Sequence, residues 1–241
     1  MLGLVPSRRA APPTVVDDVA VDPRPRLVPR QRPGPVGGKR DENRRRQTAA
    51  LAAAGLRLFL RDGIEAVTVE QIVDEAQVAK GSFYRYFGDK ADLVEALFAP
   101  TAREVHDAFA RCERALSEAG PGESLSAAYQ ALAFELTRLV RESPDLVRLY
   151  LQESRGPSGG ARGPVAHLAD EILDGATRLS EVAMRHGLVR PVGARLSAVM
   201  VVGAVELLVA RGLAGDDLGP PAEVPGHLIA LVLDGVRARG I

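Results

Sequence analysis

Residues 68–90 run TVEQIVDEAQVAKGSFYRYFGDK, and the way their side chains sort by chemistry decides the fold. The stretch reads as two short helices joined by a tight turn. In the second helix Phe83, Tyr86 and Phe87 stand at i, i+3 and i+4, so they share one face and pack inward. Lys80, Gly81, Tyr84 and Arg85 fall on the opposite side. That side carries two cations, an aromatic hydroxyl and a residue with no side chain, and the helix itself contains no acid. A short helix with a packed back and a cationic, close-approach front has the dimensions and charge to enter a DNA major groove.

The flanking sequence supplies the supports. Upstream, Leu51, Ala54, Gly55, Leu58 and Phe59 repeat at helical spacing and end near Asp62-Gly63, where glycine suits a positive-φ helix stop. Thr68 is a good N-cap for the helix whose apolar face is Val69, Ile72, Val73 and Ala76. Downstream, Leu93, Val94, Leu97 and Phe98 predict a fourth helix starting near Lys90. Small apolar helices followed by a longer one form a helix-turn-helix domain of roughly fifty residues.

The ordered series Ala54, Leu58-Phe59, Gly63, Thr68-Val69, Ile72, Ala76, Val78, Lys80-Gly81-Ser82-Phe83-Tyr84, Tyr86-Phe87, Asp89-Lys90 and Leu93 resembles the N-terminal domain of the tetracycline-repressor (TetR) family of bacterial transcription regulators. The resemblance covers about residues 44–98. It implies an all-α chain, with an N-terminal three-helix helix-turn-helix domain followed by a helical bundle for effector binding and dimerisation. It also implies that Thr68, Lys80, Gly81, Ser82, Tyr84, Arg85, Tyr86 and Lys90 face DNA. In that scheme Lys80 and Arg85 meet phosphates or guanine edges, Gly81 and Ser82 permit close approach, and Lys90 grips the backbone. Tyr86 has core packing as its other use. Two positions depart from the family pattern. Gln77 occupies the turn position usually held by glycine, at a cost on the order of 1 kcal/mol if its φ is positive. Ala79 stands where Ser or Thr usually caps the recognition helix, and a lost cap costs about 1 kcal/mol.

At 241 residues the chain is long enough for a small domain and a larger one. The expected division is a Pro/Arg-rich disordered tail over 1–38, the helix-turn-helix domain over 39–92 and the helical body over 93–241. The net charge is zero, so bulk charge does not make the chain a polyanion binder, but residues 1–46 hold eleven Lys or Arg against five Asp or Glu. A neutral protein with one basic end is the asymmetry expected of a nucleic-acid reader with a separate body. The tail contains eight prolines and no aromatic residue, which precludes a core. It is either a solvated extension or an arm that follows the DNA backbone with help from Lys39, Arg40 and Arg44–Arg46. The single cysteine, Cys112, excludes an internal disulfide and fits a reducing cytoplasm. The apolar run Ala198–Ala210 is short for a bilayer and contains Glu206, so it reads as a buried helix and no membrane association is expected.

Beyond residue 98 the periodicity is helical throughout. Leu125 to Val140 carries one apolar stripe, Asp145 to Glu153 forms a short helix, and GPSGGARGP (156–164) makes a loop. A long stripe from Val165 to Ala183 follows. Val192 to Arg211 is apolar nearly all round, Gly215 to Gly226 is a linker, and Leu228 to Arg237 is a last apolar helix. The last two helices either fill the core of one chain or pair with a second copy through Leu196, Val199, Met200, Gly203, Leu207, Leu228 and Leu231, giving a four-helix, twofold interface. By resemblance, a small effector sits among the central helices, with Tyr129, Phe134, Tyr150, Gln152, His167 and Met184 as candidate contacts.

The four histidines show no ligand spacing, and there is no nucleophile elbow, P-loop or dinucleotide fingerprint, so neither an enzyme, a metal site nor a cofactor is expected. The function these features imply is a ligand-responsive, homodimeric regulator, a repressor by resemblance, bound to a palindromic double-stranded operator. The alternative is a helical binding protein of the same fold that does not bind DNA.

Overall fold

The computed structural model describes residues 38–118 and 125–236, without the side chains of 234–236. The described residues form nine α-helices and no β-strand. They are α1 (Lys39–Asp62), α2 (Val69–Glu75), α3 (Lys80–Tyr86), α4 (Lys90–Glu118), α5 (Leu125–Glu142), α6 (Pro144–Glu153), α7 (Gly163–Arg185), α8 (Ala194–Leu213) and α9 (Val224–Val236). A 3-10 turn at Gly160–Arg162 lies within the segment expected to be a plain loop. Expectations for residues 1–37 lie outside the described residues.

Local chemistry explains most boundaries. Helix α1 carries Asp41 and Glu42 in its first turn and Arg61 in its last, which complements the helix dipole at both ends. It stops at Gly63, whose φ of 84° and ψ of 153° lie in territory open essentially to glycine alone. The Gly63 N–H closes the helix on the Phe59 carbonyl at 2.9 Å. Helix α2 opens with a reciprocal cap. The Thr68 hydroxyl accepts the Gln71 N–H at 3.2 Å, and the Gln71 side-chain oxygen accepts the Thr68 N–H at 2.8 Å. Pro144 occupies the first turn of α6, where a missing N–H costs nothing.

Two elements run further than the spacing in the sequence suggests. Helix α4 continues through Pro100 to Glu118 because Val105, Phe109, Cys112 and Leu116 extend its buried stripe well beyond Phe98. Helix α9 begins at Val224, taking in Pro225 and Gly226 from the expected linker, since proline is tolerated in a first turn.

Two hydrophobic clusters organise the chain. The first joins Leu51, Phe59, Ile64, Ile72, Phe83 and Leu93 of the N-terminal helices to Leu146 and Leu149 of α6 and Val165 and Leu168 of α7. The second gathers Val105, Phe109 and Leu116 of α4, Leu139 of α5, Leu179 and Val182 of α7 and Leu233 of α9. Helix α4 contributes to both, and residue 92, the expected domain boundary, falls inside it. Helices α4 and α7 meet closely at Gly175, where a methyl group would stand 3.0 Å from the Phe109 ring.

Candidate nucleic-acid interface and ligand cavity

Helix α3 is held from behind. Phe83 is fully buried and stacks at 5.5 Å, ring centre to ring centre, on Phe87. Tyr86 is half-buried and its hydroxyl donates to Gln47 Oε1 of α1 at 2.9 Å. Core support and a polar anchor therefore account for Tyr86 in the isolated chain. The turn before α3 contains the strain foreseen at Gln77, the only non-glycine residue with positive φ (53°) among those described. Ala79 extends no side chain to the first turn of α3, as its chemistry requires.

On the outward face Gly81, Tyr84 and Arg85 are exposed, and Ser82 is half-exposed. Tyr84 and Arg85 make no side-chain hydrogen bond or ion pair among the described residues, so both are available to a ligand. A methyl on Gly81 would meet nothing within 4 Å, which leaves the helix backbone open to close approach.

Lys80 is different. It forms a very short ion pair with Glu70 of α2, which raises the lysine pKa and lowers that of the carboxylate, chiefly through the shared hydrogen bond. The front of α3 is thus not free of acid, because α2 supplies one. Lys90 is committed more deeply. Its ammonium donates to the carbonyls of Glu65 (3.0 Å) and Val67 (2.7 Å), and partial burial lowers its pKa. This ammonium caps the α1–α2 corner instead of standing open for a phosphate. The Thr68 amide is likewise used by Gln71, so only part of the Thr68 hydroxyl's capacity is left for an outside partner.

The α1–α2 corner is also where the N-terminal helices are fastened to the rest. Glu153, at the end of α6, is 2% exposed. Its carboxylate accepts the Ile64 N–H at 3.2 Å, the Gln152 amide at 3.1 Å and the Arg162 guanidinium at 2.5 Å. Glu65 accepts the Arg162 N–H at 3.0 Å in the opposite sense. A carboxylate buried this far is tolerated because each of its oxygens is hydrogen-bonded and its charge is matched. Nothing in the sequence periodicity singled out Glu153, since its partners lie 89 and 9 residues away.

A cavity of about 350 Å³ opens among α4 to α9, a size suited to a small molecule. Three of the six candidate contacts line it: Tyr129, Tyr150 and Met184. The other three do not. Phe134 is 73% exposed on the outer side of α5. His167 points to solvent and pairs with Glu171 one helical turn away. Gln152 faces α1, donating to the Phe59 carbonyl at 3.3 Å and to Glu153. Each sits on an amphipathic helix whose apolar stripe points elsewhere, a distinction that spacing alone resolves poorly for single polar or aromatic residues.

Glu206, in the middle of apolar α8, also lines the cavity. It accepts the Tyr150 hydroxyl at 2.7 Å and pairs with Arg155 at 3.1 Å. Burial, followed by this bond to a carboxylate, raises the pKa of Tyr150, and burial raises that of Tyr129.

The residues expected at a twofold interface divide in the same way. Leu196, Val199, Met200 and Leu207 of α8 and Leu231 of α9 are exposed in the single chain, and a methyl on Gly203 would meet only open space. Leu228 instead turns into the cavity wall. Helix α8 is long and apolar enough to cross a membrane by length and composition, contrary to the shorter run read from sequence, and little of it is buried. Its inner face is nonetheless occupied, with Ala198 buried and Glu206 tied to α6.

Comparison with known proteins agrees with this architecture. Residues 51–97 match the family described as bacterial regulatory proteins, tetR family. The HTH-type transcriptional regulator TcmR of Streptomyces glaucescens is 32% identical over 147 residues, which span 55% of this chain and 65% of that protein. The chain spans 29–34% of the other curated relatives it matches. Among solved structures, the fatty acid degradation regulator FadR of Bacillus halodurans superposes with a TM-score of 0.60 at 18% identity, covering 78% of this chain and 99% of that one. FadR of Bacillus subtilis, solved with stearoyl-CoA, gives 0.59 at 17% identity, with coverage of 78% and 99%. The helix-turn-helix is thus similar to the TetR family in sequence, and the helical body resembles solved TetR-family regulators in fold.

Proposed function

We propose that this protein is a homodimeric, ligand-responsive transcription regulator, a repressor, that reads a palindromic operator in the cytoplasm and is modulated by a small molecule. The observation that carries the proposal is the exposed front of α3. Gly81, Tyr84 and Arg85 are free there, with Lys80 held beside them by a single surface ion pair. Surface pairs of this kind contribute little, so a phosphate or base edge can take Lys80 from Glu70 cheaply. The exposed apolar faces of α8 and α9 support pairing with a second copy, since large exposed apolar patches mark interaction sites.

The placement of α6 supports a route for the response. Helix α6 carries Tyr150 at the cavity and Glu153 at the α1–α2 corner, one turn apart, so a displacement of α6 by a ligand reaches the DNA-facing helices directly. The stearoyl-CoA complex of B. subtilis FadR supports small-molecule binding within this fold.

The test is selection of bound sequences from a random duplex library, with affinity then followed against salt. A palindromic site occupied by two chains, with binding that strengthens at low salt, is the expected outcome. Lys80→Ala should weaken binding roughly five- to a hundredfold at one operator position if it reads a base, and uniformly if it meets a phosphate. Absence of any enrichment overturns the proposal in favour of a helical binding protein.

A further inference from the structure

Resting on the regulator reading, a second inference concerns which molecules the cavity accepts. Its wall is overwhelmingly aliphatic, and among the described residues it contains no lysine, arginine or histidine. Among the described residues the sole charged one in the wall is Glu206. A carboxylate or phosphate carried into this space would lose its hydration, find no cation and confront a carboxylate of like charge. Glu206 is differently placed. Its side chain is 16% exposed, whereas that of its ionic partner Arg155 is 70% exposed. An exposed guanidinium on a flexible stem is a weak competitor for a carboxylate whose other side faces an apolar space. Tyr150 already donates to Glu206 and would hold it in place during such an exchange. Across the cavity the Tyr129 hydroxyl makes no hydrogen bond among the described residues.

We infer that the cavity binds a monocationic amphiphile, a protonated aliphatic amine whose ammonium takes Glu206 from Arg155 and whose hydrocarbon body fills the space between α5, α8 and α9. Charge complementarity selects the head group and the aliphatic wall selects the body. Anionic amphiphiles of equal length are rejected for want of a partner.

Calorimetric titration of the full chain at neutral pH tests this with three ten-carbon probes below their aggregation limits: decylamine, decan-1-ol and decanoate. Decylamine should bind roughly tenfold or more tighter than decanoate. Glu206→Gln should weaken decylamine by about ten- to a hundredfold, the range of a hydrogen bond to a charged group, and leave decan-1-ol unchanged. Arg155→Ala removes the competitor from an exposed position and should strengthen decylamine. Decanoate binding as well as decylamine, or indifference of decylamine to Glu206→Gln, overturns the inference. So does a failure of Arg155→Ala to strengthen decylamine, even if Glu206→Gln does not fold. DNA selection by the ligand-free protein reports on the regulator reading separately. A chain that selects an operator yet prefers decanoate refutes only the ligand class. One that binds decylamine and selects no DNA refutes only the regulator.

Discussion

Single residues set the quality of the surface proposed to face DNA. Gln77 holds a φ of 53° where glycine would be unstrained, and Ala79 leaves the first turn of α3 without a side-chain cap. Gln77→Gly should stabilise the protein by up to about 1 kcal/mol. Ala79→Ser should add about 0.5–1 kcal/mol. Urea midpoints of the two variants and their combination check both values, and near-additive gains are expected unless the shared turn couples them. Both departures were visible in the sequence because they interrupt a recognisable series. The pairing of Lys80 with Glu70 was not, since it depends on how α2 crosses α3. Glu70→Gln should release Lys80 and raise operator affinity by a few-fold at low salt, an effect that disappears as salt screens the pair. Cys112 sits 3% exposed with its thiol 3.6 Å from the Ala128 carbonyl, and burial pushes its pKa up to about 12. It should react with a thiol reagent at neutral pH only after denaturation, in spite of the neighbouring Arg111, whose guanidinium is engaged by Glu135.

At the level of elements, α6 is the piece the sequence described least well. Its apolar spacing located it correctly, but its importance lies in polar ends that no periodicity marks. Glu153 secures Ile64 and Arg162 across 89 and 9 residues, and only the folded chain brings them together. Removing one member of such a buried set leaves the others unmatched. Glu153→Ala should therefore destabilise the fold by about 2–4 kcal/mol, discounted because Arg162 retains some access to water. Thermal or chemical denaturation measures the loss, and a change under about 0.5 kcal/mol would show that the cluster contributes little. The effector candidates illustrate the same limit. Tyr129, Tyr150 and Met184 reach the cavity because they lie on the inward stripes of α5, α6 and α7, while Phe134, Gln152 and His167 lie a fraction of a turn away. A rotation that small is decided by tertiary packing, whereas the existence and order of the helices follow from hydrophobic spacing.

For the molecule as a whole, one buried and two partly buried groups share one sense of titration. Burial raises the pKa values of Cys112, Tyr129 and Tyr150, so the folded state holds their protons more tightly than the unfolded chain does. Stability from these groups is complete below their unfolded values, the first near pH 9 for the thiol, and declines as pH rises through the alkaline range. The urea midpoint should accordingly fall above about pH 9, and Cys112→Ala should make the first part of that fall shallower. The exposed α8 and α9 faces govern a separate property. Replacing both Met200 and Leu207, exposed at 65% and 58%, with lysine should yield monomers in solution and abolish cooperative operator occupancy, as light scattering and gel-shift would show. The long helix α4 joins these scales. Leu93, Val94 and Phe98 belong to one cluster and Val105 to Leu116 to the other, and Pro100 stands on the solvent side between them. Proline has no amide hydrogen, so the Ala96 carbonyl lacks its helical donor at the one level where the rod passes from the first core to the second. The rod is therefore stiff above and below that level and compliant at it, like a shaft with a single coupling. Amide hydrogens around residues 97–104 should exchange with solvent faster than those on either side.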